Sequence, residues 1–280
     1  MHPDHHLSSA YDAVLGHWPQ DTESIDVTTV HGTTHVLACG PADAPPLLLL
    51  HGGFATAAAW YANAAELCRT HRLYAPDRIG EAGLSTPGRN PPRSEAALLE
   101  WLTSVCDALG VPRTDVCGHS YGGRLALDLA LRAPDRVRKL ALLDPTQCFT
   151  GFSRRYLLRA LPRLLKPSAH STEAFWDWET GGSQDIAPAY RQLYVAASLA
   201  PQRIPVLGRR PKPAALRALT VPTLVLWAAD SRVHDVRKAD AHARRWLPGV
   251  TTATVPGVSH HGMPYVAAAE TDALLADFLA

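Results

Sequence analysis

Short apolar runs alternate with longer stretches of helical period along most of this chain. Pro46–Leu50 is continuously apolar and Val137–Leu143 becomes so towards its end, as is typical of strands buried on both faces. Ser94–Leu109 and Arg124–Arg132 instead have the residue pattern of helices. The alternation predicts an α/β protein with a mostly parallel, eight-stranded sheet flanked by helices. The expected strands are Ser24–Val30, Thr34–Cys39, Pro46–Leu50, Arg72–Ala75, Thr114–Cys117, Val137–Leu143, Pro222–Trp227 and Thr251–Val255.

The alternation is interrupted between residues 146 and 213, where no strand is expected. This stretch contains helical pieces at Arg154–Leu165 and Ala189–Leu199, an aromatic patch and several prolines. We therefore expect a core formed by residues 1–145 and 214–280. Residues 146–213 are expected to be inserted into that core as a helical cap.

The composition is that of a globular chain without a strong net charge. Of the 280 residues, 46% are apolar and 19% are charged, and the formal net charge is +1. This balance favours neither nucleic acid nor an anionic membrane as a partner. Five scattered cysteines without a CxxC pair argue against a zinc site, so no metal is expected.

The apolar runs and the N-terminus bear on where the protein is located. No apolar run approaches the ~20 residues that a membrane-spanning helix needs. The histidine-rich start, Met1–His6, lacks the basic and apolar parts of a signal peptide. We expect a cytoplasmic protein without a membrane partner, whose first residues are frayed.

The motif with the clearest chemistry is Gly118–Gly122, which reads GHSYG and is followed by another glycine. The expected strand Thr114–Cys117 runs directly into it, and a helix follows at once. This strand–turn–helix setting is the one in which a nucleophile elbow lifts a serine hydroxyl above a sheet edge. The glycines leave room where the turn brings backbone segments close together. We predict that Ser120 is a catalytic nucleophile.

A second loop, His51–Phe54, follows the first buried strand and reads HGGF. A serine that attacks a carbonyl creates an oxyanion, which needs donors placed in advance. The backbone N–H of Tyr121, directly after the nucleophile, is expected to be one donor. The N–H of Gly53 is expected to be the other, with Phe54 as a less favoured substitute.

The serine needs a base within hydrogen-bond reach, and the chain holds 14 histidines. The segment PGVSH, which ends at His260, closes the last expected strand at the same sheet edge as the elbow. We predict that His260, rather than the adjacent His261, is the base. His119 is expected to pack against the elbow, and His234 and His242 are expected to lie at the surface.

These features together resemble the α/β-hydrolase superfamily over nearly the whole chain. The likeness rests on the chain order serine, aspartate, histidine, on the HGGF loop and on the GHSYGG elbow. A closer resemblance is to Bacillus-type carboxylesterases, in the stretches Thr34–Val36, Ala44–Gly52 and Tyr74–Glu81. The resemblance implies an α/β-hydrolase fold, ester hydrolysis and a helical cap inserted between strands 6 and 7.

The acid that should orient the histidine is ambiguous. In related proteins it stands at the fourth position of a segment that here reads Ala228 to Ser231, so that position holds Ser231. Asp230 is one residue early. Asp144 follows the preceding strand, where haloalkane dehalogenases of the same family carry their acid. We favour Asp144 and keep Asp230 as the alternative.

The residues predict a serine hydrolase that cleaves a carboxylic ester, or a related acyl bond, of a small hydrophobic substrate. The reaction would pass through an acyl-enzyme on Ser120 and would need no cofactor. Phe54, His119, Trp176 and Trp178 are expected to contact the substrate.

Several related activities share this logic and stay open: thioesterase, lactone hydrolase, carbon–carbon bond hydrolase and acyltransferase in a biosynthetic pathway. A non-catalytic ligand-binding protein on a hydrolase fold is the alternative from a different class. The oligomeric state is left open.

Overall fold

A single sheet of nine strands organises the molecule. The computed structural model describes residues 3–183, 185–201, 206 and 208–280. The strands are β1 Glu23–Thr29, β2 Gly32–Cys39, β3 Pro46–Leu50, β4 Arg72–Pro76, β5 Thr86–Pro87, β6 Thr114–His119, β7 Val137–Leu143, β8 Thr223–Ala228 and β9 Thr251–Val255. Their order in the sheet is β1-β2-β4-β3-β6-β7-β8-β9, with β5 paired to β2.

The sheet is mostly parallel. β2 is antiparallel to its neighbours β1, β4 and β5. The other pairings, β4–β3, β3–β6, β6–β7, β7–β8 and β8–β9, are all parallel. The eight expected strands are all present. The ninth, β5, was missed because two residues are too short for a period-2 pattern to appear in the sequence.

Helices cover both faces of the sheet. They are α1 Pro3–Leu15, α2 Ala64–Leu67, α3 Glu95–Ala108, α4 Tyr121–Arg132, α5 Arg154–Leu165, α6 Ala169–Thr180, α7 Pro188–Leu199, α8 Pro213–Arg217, α9 Val236–Trp246, α10 Met263–Val266 and α11 Ala268–Leu279, with short 3-10 helices at Ala57–Ala62 and Pro134–Arg136.

The two faces hold two separate apolar cores. Leu47 and Leu49 of β3 belong to one core, and Leu48 and Leu50 to the other. Successive side chains of a strand point to opposite faces, so one fully apolar strand contributes to both cores. This explains why β3 has no polar residue.

The start of the chain is helical, and the expectation of a frayed N-terminus is wrong for the described residues from Pro3 onward. Helix α1 buries Leu7, Tyr11 and Val14, which are spaced four and three residues apart and so share one helix face. The indole N–H of Trp18, just after the helix, donates to the carbonyl of Ala58 at 3.2 Å.

Helices α5, α6 and α7 lie in the segment 146–213, which was expected to form a cap, between β7 and β8, whereas α8 begins at the last residue of that segment. Gln184, residues 202–205 and Leu207 of that segment lie outside the described residues. The strands on either side, β7 and β8, are hydrogen-bonded neighbours, so the segment leaves and re-enters the sheet at one place. None of the helices within the described ranges is long and apolar enough to cross a membrane.

Candidate active site

Ser120 occupies a strained turn between β6 and α4. Its backbone dihedrals are φ 56° and ψ −116°, values that an L-residue rarely adopts. A Cβ atom on Gly118 would lie 2.4 Å from the carbonyl oxygen of Gly122, and one on Gly122 would lie 2.0 Å from that of Leu50. The turn therefore requires glycine on both sides of the serine. Its hydroxyl is left at the carboxyl edge of the sheet.

His260 contacts this hydroxyl. Its Nε2 atom lies 2.8 Å from Oγ of Ser120, and the imidazole is 1% exposed. The loop that follows β9 carries His260, and the backbone carbonyl of that residue accepts a 2.9 Å hydrogen bond from Nε2 of His119. Burial, and then the neighbouring His260, lower the pKa of His119 to about 3. His119 is thus a neutral donor that holds the backbone of His260 in place.

Asp144 contacts the other nitrogen of the same imidazole. Its Oδ2 atom lies 2.6 Å from Nδ1 of His260, and the carboxyl group is completely buried. Asp144 directly follows β7, has a φ of 40°, and donates its backbone N–H to the carbonyl of Leu226. The carboxylate holds the proton of His260 on Nδ1, which leaves Nε2 free to accept the proton of Ser120.

The alternative acid, Asp230, is not brought to the imidazole. It is exposed, and its backbone N–H donates to the carbonyl of Val258 at 2.9 Å. The next residue points inward instead, because the hydroxyl of Ser231 donates to Oδ2 of Asp144 at 2.7 Å. The structure groups Ser120, His260 and Asp144, with Ser231 beside the carboxylate.

His234 is a further partner of this carboxylate, and the expectation that it lies at the surface is wrong. Its Nε2 atom is 3.1 Å from Oδ1 of Asp144, and the residue is 6% exposed. The loop after β8 folds back with Val233 fully buried, which carries His234 inward. His242 is also partly buried, with Nδ1 3.0 Å from the carbonyl oxygen of Phe149.

Asp144 and His234 shift each other's pKa values. Burial raises the pKa of Asp144, but the charge of His234 and the hydrogen bonds from both imidazoles outweigh burial and hold that pKa well below its ordinary value of 3.8. Burial lowers the pKa of His234, and Asp144 more than compensates, so that pKa is raised above 6.5. The carboxylate of Asp144 is therefore ionised although it is buried, and it favours the charged form of His234.

The loop after β3 lies beside Ser120. Gly53, Phe54 and Tyr121 line one cavity with Ser120, and none of their backbone N–H groups has an acceptor within the described part of the chain. Phe54 has a φ of 61°, so this loop is strained as well. These amides are available to a ligand oxygen near Ser120.

A buried arginine that the sequence did not identify as functional holds this loop. Arg78 donates to the carbonyls of His51 and Gly52 at 3.1 and 3.0 Å, and its charge is matched by Glu81 at 2.7 Å. The backbone N–H of Arg78 donates to Nε2 of His51, while Nδ1 of His51 lies 2.8 Å from the carbonyl oxygen of Gly52. His51 is therefore neutral and structural, and burial lowers its pKa well below the ordinary value. Arg78 lies within Tyr74–Glu81, one of the stretches that resemble Bacillus-type carboxylesterases. That resemblance was the sign in the sequence that Arg78 could matter to the site.

Two cavities meet at Ser120. The larger, of about 200 Å³, lies under helix α5, and the smaller, of about 20 Å³, lies under α6 and α7. Of the expected substrate contacts, Phe54 lines the larger, while His119 and Trp176 line the smaller. Trp178 lines neither cavity. It packs against Phe175 and against three arginines, Arg155 and Arg159 of α5 and Arg232 of the loop after β8.

Glu179 connects helix α6 to the loop that carries His260. Its Oε2 atom accepts hydrogen bonds from the hydroxyl of Ser259 at 3.2 Å and from the backbone N–H of His261 at 2.9 Å. Its side chain is fully buried. No local pattern around Glu179 distinguished it in the sequence, because its partners are 80 or more residues away.

The chain matches known proteins over almost its whole length. The model of the α/β-hydrolase family matches residues 47–274. The protein therefore belongs to the α/β-hydrolase family, and the predicted fold class is confirmed.

Within this family, the chain is similar to carboxylesterases of Bacillus subtilis. It is 32% identical over 266 residues to carboxylesterase YbfK of strain 168, which covers 90% of this chain and 86% of that protein. The crystal structure of carboxylesterase CesB (YbfK) has a TM-score of 0.92 at 29% identity and covers 99% of this chain and 98% of that chain. The crystal structure of naproxen esterase (carboxylesterase NP) has a TM-score of 0.93 at 26% identity, covering 100% and 99%. The predicted resemblance is confirmed, and the protein is a carboxylesterase-like hydrolase.

Proposed function

We propose that the protein hydrolyses a carboxylic ester of a small hydrophobic substrate through an acyl-enzyme on Ser120. The observation that carries this proposal is the hydrogen-bonded series from Ser120 Oγ through His260 to Asp144, with contacts of 2.8 and 2.6 Å. In such a series the base, its orienting carboxylate and the nucleophile are in the geometry that acyl transfer needs. The similarity to carboxylesterases supports the same reaction.

Acylation begins when Nε2 of His260 takes the proton of Ser120 as Oγ attacks the ester carbonyl. The imidazolium that forms is stabilised by Asp144, which stays ionised because its pKa is depressed. The N–H groups of Gly53 and Tyr121 bind the oxyanion, with Phe54 as a further donor on the same loop. His260 then gives its proton to the leaving alcohol oxygen, and the acyl-enzyme remains.

Deacylation repeats these steps with water. Water loses a proton to Nε2 of His260 as its oxygen attacks the acyl carbonyl on Ser120. The same donors hold the second oxyanion. Collapse of this intermediate breaks the bond to Oγ, returns the proton from His260 to Ser120, and releases the carboxylic acid.

The cavity under α5 supports a hydrophobic substrate. Besides Ser120, its wall includes Phe54, Phe152, Leu157 and Leu164, so apolar groups could be buried beside the nucleophile. In this proposal residues 146–213 act as the cap that roofs the site. The substrate is a small molecule, and the cytoplasm stays the expected compartment.

A panel of p-nitrophenyl esters from acetate to decanoate tests the proposal. We expect hydrolysis with a maximum in kcat/KM at an intermediate acyl length, because the cavity is apolar but finite. Ser120→Ala should lower the rate by at least about a thousand-fold, since the triad acts as a unit. A folded wild-type protein that hydrolyses no ester, or an equally active Ser120→Ala variant, would contradict the proposal.

A further inference from the structure

A buried cation that has no carboxylate partner among the described residues lies in the cavity under α5. Arg163 is 8% exposed and lines the same cavity as Ser120. Its Nη1 atom donates to the hydroxyl of Tyr194. Its guanidinium carbon lies 4.6 Å from the ring centroid of Phe54 and 4.5 Å from that of Phe175. Aromatic faces and one hydroxyl thus hold the guanidinium in place without neutralising it.

No carboxylate of the described residues lies within ion-pairing distance of Arg163. The buried carboxylate of Glu179, on the neighbouring helix α6, accepts hydrogen bonds from Ser259 and His261 instead. Two other buried arginines differ, because Arg78 pairs with Glu81 and Arg124 pairs with Asp128. A buried charge without a counter-ion is unfavourable, so Arg163 is the exception to be explained.

The remaining N–H groups of the Arg163 guanidinium face the cavity. Among the described residues the Tyr194 hydroxyl is the only hydrogen-bond acceptor that Arg163 has, and a guanidinium has five N–H donors in a fixed planar arrangement. That arrangement matches the two oxygens of a carboxylate. The rest of the wall is largely apolar, so an anion entering this cavity would find one strong partner at a defined position.

We infer that the ester substrate carries a second, anionic group, a carboxylate, which pairs with Arg163 while Ser120 attacks the ester carbonyl. The inference rests on the proposed ester hydrolysis and adds the substrate class: half-esters of dicarboxylic acids, or hydroxy acids that are acylated on the hydroxyl and keep a free carboxylate. Arg163 is then a specificity-determining residue. The charge of the substrate supplies the counter-ion that the protein itself lacks at this place.

Two matched pairs of esters test the inference. In the first pair the acyl part ends in a carboxylate or in the methyl ester of that carboxylate, with p-nitrophenol as the common leaving group. In the second pair the alcohol part ends in a carboxylate or its methyl ester, with acetate as the common acyl group. The wild type should have at least about a tenfold higher kcat/KM for the charged member of one pair, the advantage that one charge-assisted hydrogen bond provides.

Substitution at Arg163 should remove that preference selectively. Arg163→Gln should lower kcat/KM for the preferred charged ester about 10- to 100-fold more than for its neutral partner, mainly through KM. Arg163→Lys should keep part of the preference. Arg159→Gln, an exposed arginine one turn earlier on α5, is the matched control and should leave the ratio unchanged. Equal losses of kcat/KM on both esters would mean that Arg163 only holds Phe54 in place and would overturn the inference. A wild type that favours the neutral ester in both pairs would overturn it as well.

A binding measurement separates this inference from the esterase proposal. Calorimetry on Ser120→Ala with adipate, and with its neutral dimethyl ester as the comparison, needs no turnover. Adipate should bind at least about tenfold more tightly than the diester, and Arg163→Gln in the same background should abolish this difference. Loss of esterase activity with this binding intact would contradict only the proposed function. Equal affinity for the two ligands would contradict the anion site itself.

Discussion

The hydroxyl of Ser231 donates a 2.7 Å hydrogen bond to Oδ2 of Asp144, the oxygen that also lies 2.6 Å from Nδ1 of His260. Ser231 stands where the family resemblance leads one to expect the acid itself. We therefore propose that Asp144, at the end of the neighbouring strand β7, is the acid of the site. Ser231, at the position where relatives carry their acid, donates a hydrogen bond that stabilises this carboxylate. Asp144 and Ser231 meet because β7 and β8, after which they follow, are adjacent and parallel.

The first prediction separates the two candidate acids. Asp144→Asn should lower kcat by about a thousand- to ten-thousand-fold, because an amide no longer holds the proton of His260 on Nδ1. Asp230→Asn should remain close to wild type, because Asp230 is exposed and does not contact His260. Steady-state rates on one p-nitrophenyl ester, with circular dichroism to verify folding, decide between them. The opposite ranking would reassign the acid.

The second prediction concerns the pH dependence of stability. The pKa of His234 is raised above 6.5 by Asp144, so the cation adds stability that is complete below pH 6.5 and declines as the pH rises through the folded value. The pKa of Asp144 is depressed, so its share is present above pH 3.8 and is lost as the pH falls further. The ion pair between His234 and Asp144 therefore stabilises the folded protein most between pH 3.8 and pH 6.5.

His234→Gln should consequently be most damaging in mildly acidic solution. We expect a loss of about 2–4 kcal/mol in the free energy of unfolding at pH 5.5, since a buried carboxylate loses its charged partner, and a smaller loss at pH 9. Urea unfolding at both pH values measures the difference. His242→Gln is the control, since His242 contacts the carbonyl of Phe149 rather than a carboxylate. A loss that grows with pH would contradict the assigned charges.

The third prediction concerns the backbone of the elbow. In Gly122→Ala the new Cβ would lie 2.0 Å from the carbonyl oxygen of Leu50 and 2.6 Å from that of His51, and neither backbone segment can move freely. We expect a loss of more than about 3 kcal/mol in stability, or failure to fold. Gly151→Ala is the matched control, because no atom lies within 4 Å of its Cβ. Yield and thermal unfolding compare the two; a stable Gly122→Ala protein would show that the turn is not as tight as described.

The fourth prediction tests the link between α6 and the loop of the base. Glu179→Ala leaves the Ser259 hydroxyl and the His261 N–H without their acceptor, and should lower the free energy of unfolding by about 2–4 kcal/mol. Because His260 lies between these two residues, kcat should fall as well, by about tenfold or more. Glu173→Ala, on the exposed side of the same helix, should change neither quantity. An unchanged kcat in Glu179→Ala would mean that the loop keeps its position without this acid.

The sequence predicted features that depend on local patterns. The order of strands and helices follows from residue period, and the elbow around Ser120 follows from a glycine-flanked serine between a strand and a helix. His260 was selected because its position after the last strand brings it to the same sheet edge. Each of these conclusions needs only the topology of a parallel sheet and no knowledge of side-chain packing.

The features that the sequence did not predict depend on contacts between distant residues. His234 reaches Asp144 across 90 positions, and its inward direction is set by how one loop folds back. Helix α1 was missed because polar residues at the start of a chain suggest fraying, although Leu7, Tyr11 and Val14 share a buried face. The open choice between Asp144 and Asp230 had the same cause, because which carboxylate faces His260 is a property of packing.

The most direct test of the proposed chemistry is covalent labelling with a fluorophosphonate. The reagent phosphonylates a serine only where a base removes its proton and oxyanion donors hold the phosphonyl oxygen. Intact-mass spectrometry of the folded wild type should show a single adduct, and peptide mapping should locate it on Ser120. Ser120→Ala should show none, and His260→Gln should react at least about a hundred-fold more slowly. A folded wild type that stays unlabelled, or an adduct that persists in Ser120→Ala, would contradict the account.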